Sequence, residues 1–219
     1  MTTDATEVVW EEGYQRLKAD PAFASLVRQV GPVRIPARSG NAFSTLFRAI
    51  VYQQLAGKAA ATIHERAVEA LAGAVRPEVL LDTAEADLRG AGLSRSKLRA
   101  ARDLAGRIVA GRLDLEALPE LPDEAVEEEL IQVWGIGRWT ARMFLLFDLT
   151  RPDVWPVGDL GVRQGWARIH GMEEAPDAKA LQPLGDPYRP WRSVVAWYCW
   201  RAMDVLPPGA TPSDSAVGE

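Results

Sequence analysis

Apolar residues recur every three or four positions almost throughout this chain, and no stretch alternates apolar with polar as a half-buried strand would. That period restricts the fold to helices joined by short loops, an all-α architecture of about ten helices. A first amphipathic stretch runs from about Val8 to Lys18, and Asp20-Pro21 opens a second that ends at Gly31-Pro32. Val33 to Ser39 reads as extended. Asn41 caps a long apolar helix, FSTLFRAIVYQQLA, broken at Gly57, and Lys58 to Leu71 forms the next. Arg76-Pro77 and Asp82-Thr83 open two short helices, and Ser94 or Ser96 starts RSKLRAARDLAGRIVAG. EAVEEELIQVW and WTARMFLLFDL follow, separated by a tight Gly135-Ile136-Gly137 turn. Further helices are expected from about Asp159 to Ile169 and after Pro190, and the Pro/Ser/Gly-rich tail at 207–219 is expected to be disordered.

The chemistry available is narrow. A single Cys199 gives no internal disulfide and too few thiols for structural zinc or an iron–sulfur cluster. With only His64 and His170, a histidine-rich metal site is excluded, and His64 and Cys199 read as structural. No metal and no cofactor is called for. No apolar run approaches the ~20 residues of a membrane span, and the opening MTTDATEVVWEEGYQ lacks the apolar core of a secretion signal. A monomer in the cytoplasm, away from any membrane, is the expectation. The net charge of −5 argues against a polyanionic partner, but its distribution is uneven. Arg34 to Arg107 holds twelve Lys/Arg against seven Asp/Glu, whereas Asp114 to Glu129 holds eight acidic residues and no basic one. An acidic chain can thus still present a basic face.

Three features carry possible function. The two glycines of Trp134-Gly135-Ile136-Gly137-Arg138 let the backbone turn sharply and leave amides exposed at the start of the second helix, where the helix dipole and the absent Cβ atoms suit a phosphate oxygen. The same glycines are equally consistent with a plain helical hairpin. Asp159 follows a Pro-flanked loop and falls at a helix start, where it is either an N-cap or a functional carboxylate. Of eight tryptophans, Trp197 and Trp200 are three apart on the last helix and Trp139 sits on the first turn after the hairpin. Core packing is the ordinary explanation of such a stripe, a ligand box the other. Trp139 is too near the expected phosphate to be deep core.

Taken together, LIQVWGIGRWTARMFLLFDLTRPDVWPVGDLGVRQGW resembles the helix-hairpin-helix, Gly/Pro-rich loop and aspartate signature of the base-excision DNA glycosylase superfamily. PWRSVVAWYCW and FRAIVYQQLAGKAAATI are similar to its 3-methyladenine DNA glycosylase II, alkyl-base, branch. The resemblance extends over roughly Val33 to Val205. It implies one glycosylase domain over 1–206 in two helical lobes with the active site in a cleft between them. One lobe is expected at about 41–134, the other at about 7–40 plus 135–206, with the hairpin motif at about 124–149.

The resemblance also implies site residues. Asp159 would be the catalytic carboxylate, and Trp139 and Trp200 would line the base pocket, with Met143 standing where an aromatic is usual. Bifunctional relatives carry an attacking lysine at the position of Trp139, so no Schiff base can form here and the enzyme is expected to be monofunctional. The expected partner is double-stranded DNA containing alkylated bases, gripped by amides near Gly135 and Gly137, with Arg138, Ser94, Arg95 and Lys97 as further contacts. The resemblance places the residue that fills the stack when the base is flipped out in Gln53-Gln54-Leu55-Ala56, with Gln54 expected, although packing inside a helix would explain Leu55 equally well. Rival readings are a glycosylase for other damaged or mismatched bases, a non-catalytic helix-hairpin-helix DNA-binding protein, and an all-α scaffold without nucleic acid.

Overall fold

The computed structural model describes residues 5–35, 40–55 and 57–206, so the expected disordered tail and the end of the Val33–Ser39 segment lie outside the described residues. Every regular element among the described residues is helical: α1 (Ala5–Lys18), α2 (Ala24–Val30), α3 (Ala42–Tyr52), α4 (Gly57–Ala70), α5 (Pro77–Asp82), α6 (Glu85–Gly90), α7 (Arg95–Val109), α8 (Asp123–Ile131), α9 (Arg138–Phe147), α10 (Leu160–Ile169), α11 (Ala178–Leu184) and α12 (Arg192–Val205), with 3₁₀ turns at Leu118–Glu120 and Asp186–Tyr188. None of them is long and apolar enough to cross a membrane.

Side-chain caps set several of these starts. Asn41, Ser94, Asp159 and Asp177 each accept the amide of the residue three positions on, satisfying one of the orphan donors of a helix N-terminus. The Asp177 cap opens α11, a helix that apolar periodicity alone does not reveal because it is short and carries Pro183 inside it. Three expected boundaries move. α2 begins at Ala24, since Pro21 to Phe23 form a turn, and α6 begins at Glu85. α3 stops at Tyr52 instead of continuing to Gly57, because Gln54 takes a left-handed φ of 57° that no helix continues through.

The chain divides into two compact units, residues 37–149 and residues 1–36 with 150–219. The expected boundary at 134 is therefore corrected to 149: α9 packs on α8 and α3 and belongs to the internal unit. That unit is built on α3, whose Phe43, Leu46, Phe47, Ile50 and Val51 are buried, and on α7, whose apolar face packs against α3 and α5. In the other unit α12 is central, packing on α1, α2 and α10. Its Val194, Val195, Tyr198 and Cys199 are fully buried, and the Tyr198 hydroxyl donates to the Gly31 carbonyl at 2.6 Å. Trp155 and Trp166 are core residues here, as the packing reading of the tryptophans requires, and Trp166 stacks on His170 with ring centroids 4.1 Å apart.

Candidate active site

In the unit centred on α12, two glycines four residues apart let α10 approach α12 far more closely than side chains permit. A Cβ at Gly165 would lie 1.9 Å from the Cys199 carbonyl oxygen, so only glycine fits. One turn earlier, a Cβ at Gly161 would lie 2.9 Å from Trp200 Cδ1 and 3.1 Å from Asp159 Oδ1. The seam brings Trp200 of α12 against the N-terminus of α10. There Asp159 Oδ1 accepts two hydrogen bonds, from Val162 N at 2.8 Å and from Trp200 Nε1 at 2.9 Å. The carboxylate thus caps its helix and is oriented by the indole at once; the two readings of Asp159 do not compete. Asp159 and Trp200 are both half-buried, while the next residue, Leu160, is 55% exposed. Burial, with the Asp159 charge added, pushes the Cys199 thiol far above its ordinary range, leaving it an inert core group.

The internal unit contains the hairpin. Gly135 needs its lack of a side chain twice over: its φ is 85°, and a Cβ would meet Ala100 Cβ at 2.9 Å. Gly137 differs. It N-caps α9 without a side-chain hydrogen bond, and a Cβ there would meet nothing within 4 Å. Internal packing gives no reason for that glycine, whereas an anion approaching the start of α9 would use the space. Ile136 is buried between them. The turn is seated on α7: Asp103 Oδ2 accepts the Trp134 amide at 2.7 Å, and the Arg99 guanidinium lies over the Trp134 ring, 4.1 Å from its centroid. Hydrogen bonds from Trp134 and Arg107 hold the Asp103 carboxyl below its ordinary range against the opposing effect of burial, the largest single influence on it.

The expected contact residues divide by fate. Trp139 is 48% exposed on the first turn of α9, with Met143 half-buried one turn on, along the same face. Ser94 caps α7 and Arg95 is exposed beside it. Lys97 turns inward, its Nζ donating to the Val51 carbonyl at 2.6 Å, and burial lowers its pKa; it braces the end of α3 and is not a free surface cation. Arg138 and Arg142 both pair with Glu127, a carboxylate only 8% exposed, although most of the Arg138 side chain stays in solvent. Gln54 and Leu55 stand exposed on a turn, so packing inside a helix does not account for Leu55.

The partners of four residues escape sequence reasoning. Gln53 ties that turn to the hairpin, its Nε2 donating to the Gly135 carbonyl at 3.0 Å and to Thr140 Oγ1 at 3.4 Å. Arg99, Trp134 and Gly161 act only through partners remote in sequence. Gln53 left a trace in the expected wedge segment and Trp134 in the hairpin turn, in neither case with the partner it takes here.

The all-helical fold and a Gly-x-Gly turn feeding an open helix N-terminus define a helix-hairpin-helix protein. A family model for the HhH-GPD superfamily of base excision DNA repair proteins matches residues 47–189, and the chain belongs to that superfamily. It is 32% identical over 192 residues to DNA-3-methyladenine glycosylase 1 of Schizosaccharomyces pombe, covering 85% of this chain and 84% of that one. A solved structure of 3-methyladenine DNA glycosylase from the same yeast, in complex with abasic DNA, matches with a TM-score of 0.81 at 31% identity, over 89% of this chain and 98% of that one. DNA-3-methyladenine glycosidase from Bacillus halodurans matches with a TM-score of 0.78 at 33% identity, over 94% and 92%.

Proposed function

We propose that this chain is a monofunctional DNA glycosylase that flips alkylated purines, 3-methyladenine and 7-methylguanine, out of duplex DNA and hydrolyses their N-glycosidic bonds in base excision repair. The observation that carries this reading is the Asp159 carboxylate, fixed by the Val162 amide and the Trp200 indole at the start of α10, in a chain whose named relatives are 3-methyladenine glycosylases.

The bond to an N3- or N7-alkylated purine breaks with its electron pair leaving on a base that was already cationic, so the base departs neutral without a general acid. Positive charge develops on the sugar, and Asp159 stabilises it electrostatically, as a carboxylate does in glycoside hydrolysis. Water then adds to C1′ and gives up a proton, for which Asp159 is the acceptor. Position 139 carries an indole in place of an amine, which supports hydrolysis without a covalent sugar adduct. Trp200 is the indole assigned to the base, and Trp139, with Met143, is a second. An indole face attracts a cationic base by about 0.5–2 kcal/mol, too little for strong discrimination, so leaving-group quality supplies much of the selectivity. Phosphates are assigned to the amides at Gly137 and to Arg138, Ser94 and Arg95, and Gln54 to the gap in the stack. The same reading places a monomer in the cytoplasm.

Incubation with methylated DNA and chromatography of the released bases tests the whole proposal. Release of 3-methyladenine and 7-methylguanine is expected. Release of uracil or a mismatched base alone, or of nothing from DNA the protein binds, would overturn it.

A further inference from the structure

The cations of α7 are not equivalent. Lys97 donates to Val51 O, Arg102 to Thr83 O, and Arg107 to Asp103. Arg95 and Arg99 are both exposed, and among the described residues neither has a carboxylate within ion-pairing distance. They stand four residues apart, so the helix brings like charges onto one face, an unfavourable spacing. Arg95 also occupies the first turn of α7, which carries no acidic residue and where the helix dipole disfavours a cation. Left alone, this arrangement is electrostatically uphill, and an anion bound between the two guanidinium groups would reverse the sign. Arg99 is also held in place, since its guanidinium carbon lies over the Trp134 ring, 4.1 Å from the centroid, and the Trp134 backbone amide is itself anchored to Asp103. A guanidinium resting over a ring face spends none of its N–H donors on the ring, and its planar fork matches a phosphate in a bidentate contact. Trp134 precedes Gly135, so this stacked pair abuts the hairpin turn.

We infer that Arg95, Arg99 and Trp134 form a second phosphate-binding site, beside the hairpin amides, that takes a backbone phosphate of duplex DNA, with Arg99 as the principal contact and Trp134 as the residue that positions it. The inference rests on the proposed function, because the ligand is DNA.

Binding of a duplex carrying one abasic-site analogue, measured by fluorescence anisotropy from about 50 to 300 mM salt, tests it. Arg99→Gln is expected to reduce the slope of log affinity against log salt by about 0.9 and to weaken binding about eightfold near 0.1 M salt. Arg99→Lys retains the slope. Trp134→Leu keeps the charge and the slope but loses affinity about two- to fivefold through lost orientation. Arg112→Gln, three residues beyond the end of α7, leaves the slope at the wild-type value. Thermal melting of each variant separates lost contacts from lost folding. An Arg99→Gln slope equal to wild type, or a loss equal to that of Arg112→Gln, would overturn the inference. Duplex binding by the wild type without base release from methylated DNA would overturn the glycosylase reading and leave this site standing; failure of the wild type to bind duplex overturns both.

Discussion

Trp200 donates its indole N–H to the same oxygen of Asp159 that caps α10, at 2.9 Å, across 41 residues of sequence. One hydrogen bond comes from the helix that Asp159 opens and the other from the helix that packs on it. Rotation of the carboxylate about its side-chain bonds would break both, so its direction is set before any substrate arrives, the condition for electrostatic stabilisation without reorganisation.

Asp159→Asn removes the charge and keeps an efficient N-cap, since asparagine caps as well as aspartate. Single-turnover release of 3-methyladenine is expected to fall by about 10³-fold, while the melting temperature and the affinity for abasic DNA stay near wild type. Excision at the normal rate would remove Asp159 from the mechanism.

Gly161→Ala distinguishes positioning from stability. Alanine for glycine in a helix ordinarily stabilises by about 0.5–1 kcal/mol, but here the added Cβ would press on Trp200 Cδ1 and Asp159 Oδ1. Excision is expected to drop about tenfold or more through kcat, with DNA affinity kept. Gly165→Ala, whose Cβ would collide with the Cys199 carbonyl, is expected to lower stability by about 3 kcal/mol in denaturant unfolding. The two glycines share a seam and should fail differently.

Gln53→Ala severs the link between the turn holding Gln54 and the hairpin carbonyl of Gly135. A stability loss of about 1 kcal/mol is expected for a hydrogen bond of this exposure. Base flipping, followed by 2-aminopurine fluorescence opposite an abasic analogue, should slow. An unchanged flipping rate would mean that the turn positions itself.

Acid should weaken the fold through two histidines. Burial lowers His170, against the opposing charge of Asp20, and burial together with Arg48 lowers His64. The native state therefore binds fewer protons than the unfolded chain, whose imidazoles keep a pKa near 6.5. Stability is complete above that value and is lost as pH falls through it toward the depressed native pKa values. Melting temperatures between pH 8 and pH 5 should show the decline, and His170→Leu should flatten it by removing one of the two titrating groups; among the described residues the buried Nε2 of His170 has no hydrogen-bond partner to lose. A decline unaltered in that variant would assign the acid sensitivity elsewhere.

Whatever depends on neighbours along the chain was legible before folding: helical periodicity, the caps at Asn41, Ser94 and Asp159, the Gly135-Ile136-Gly137 turn and the place of Trp139 just after it. These are local choices of backbone and side chain, and three or four residues suffice to specify them. Tertiary structure alone decided where the same side chains spend their donors. Lys97 and Arg99 look alike in the sequence, yet one reaches the end of α3 and the other lies on Trp134. Likewise, nothing near Gly161 announces that the space left by its missing Cβ is filled by an indole from α12. The assignment of α9 to the internal unit, against the expected boundary at 134, follows from packing on α3 and α8 and not from any break in the chain. Such outcomes depend on which surfaces meet when helices far apart in sequence pack. Periodicity reports that a face is apolar and leaves its partner unspecified.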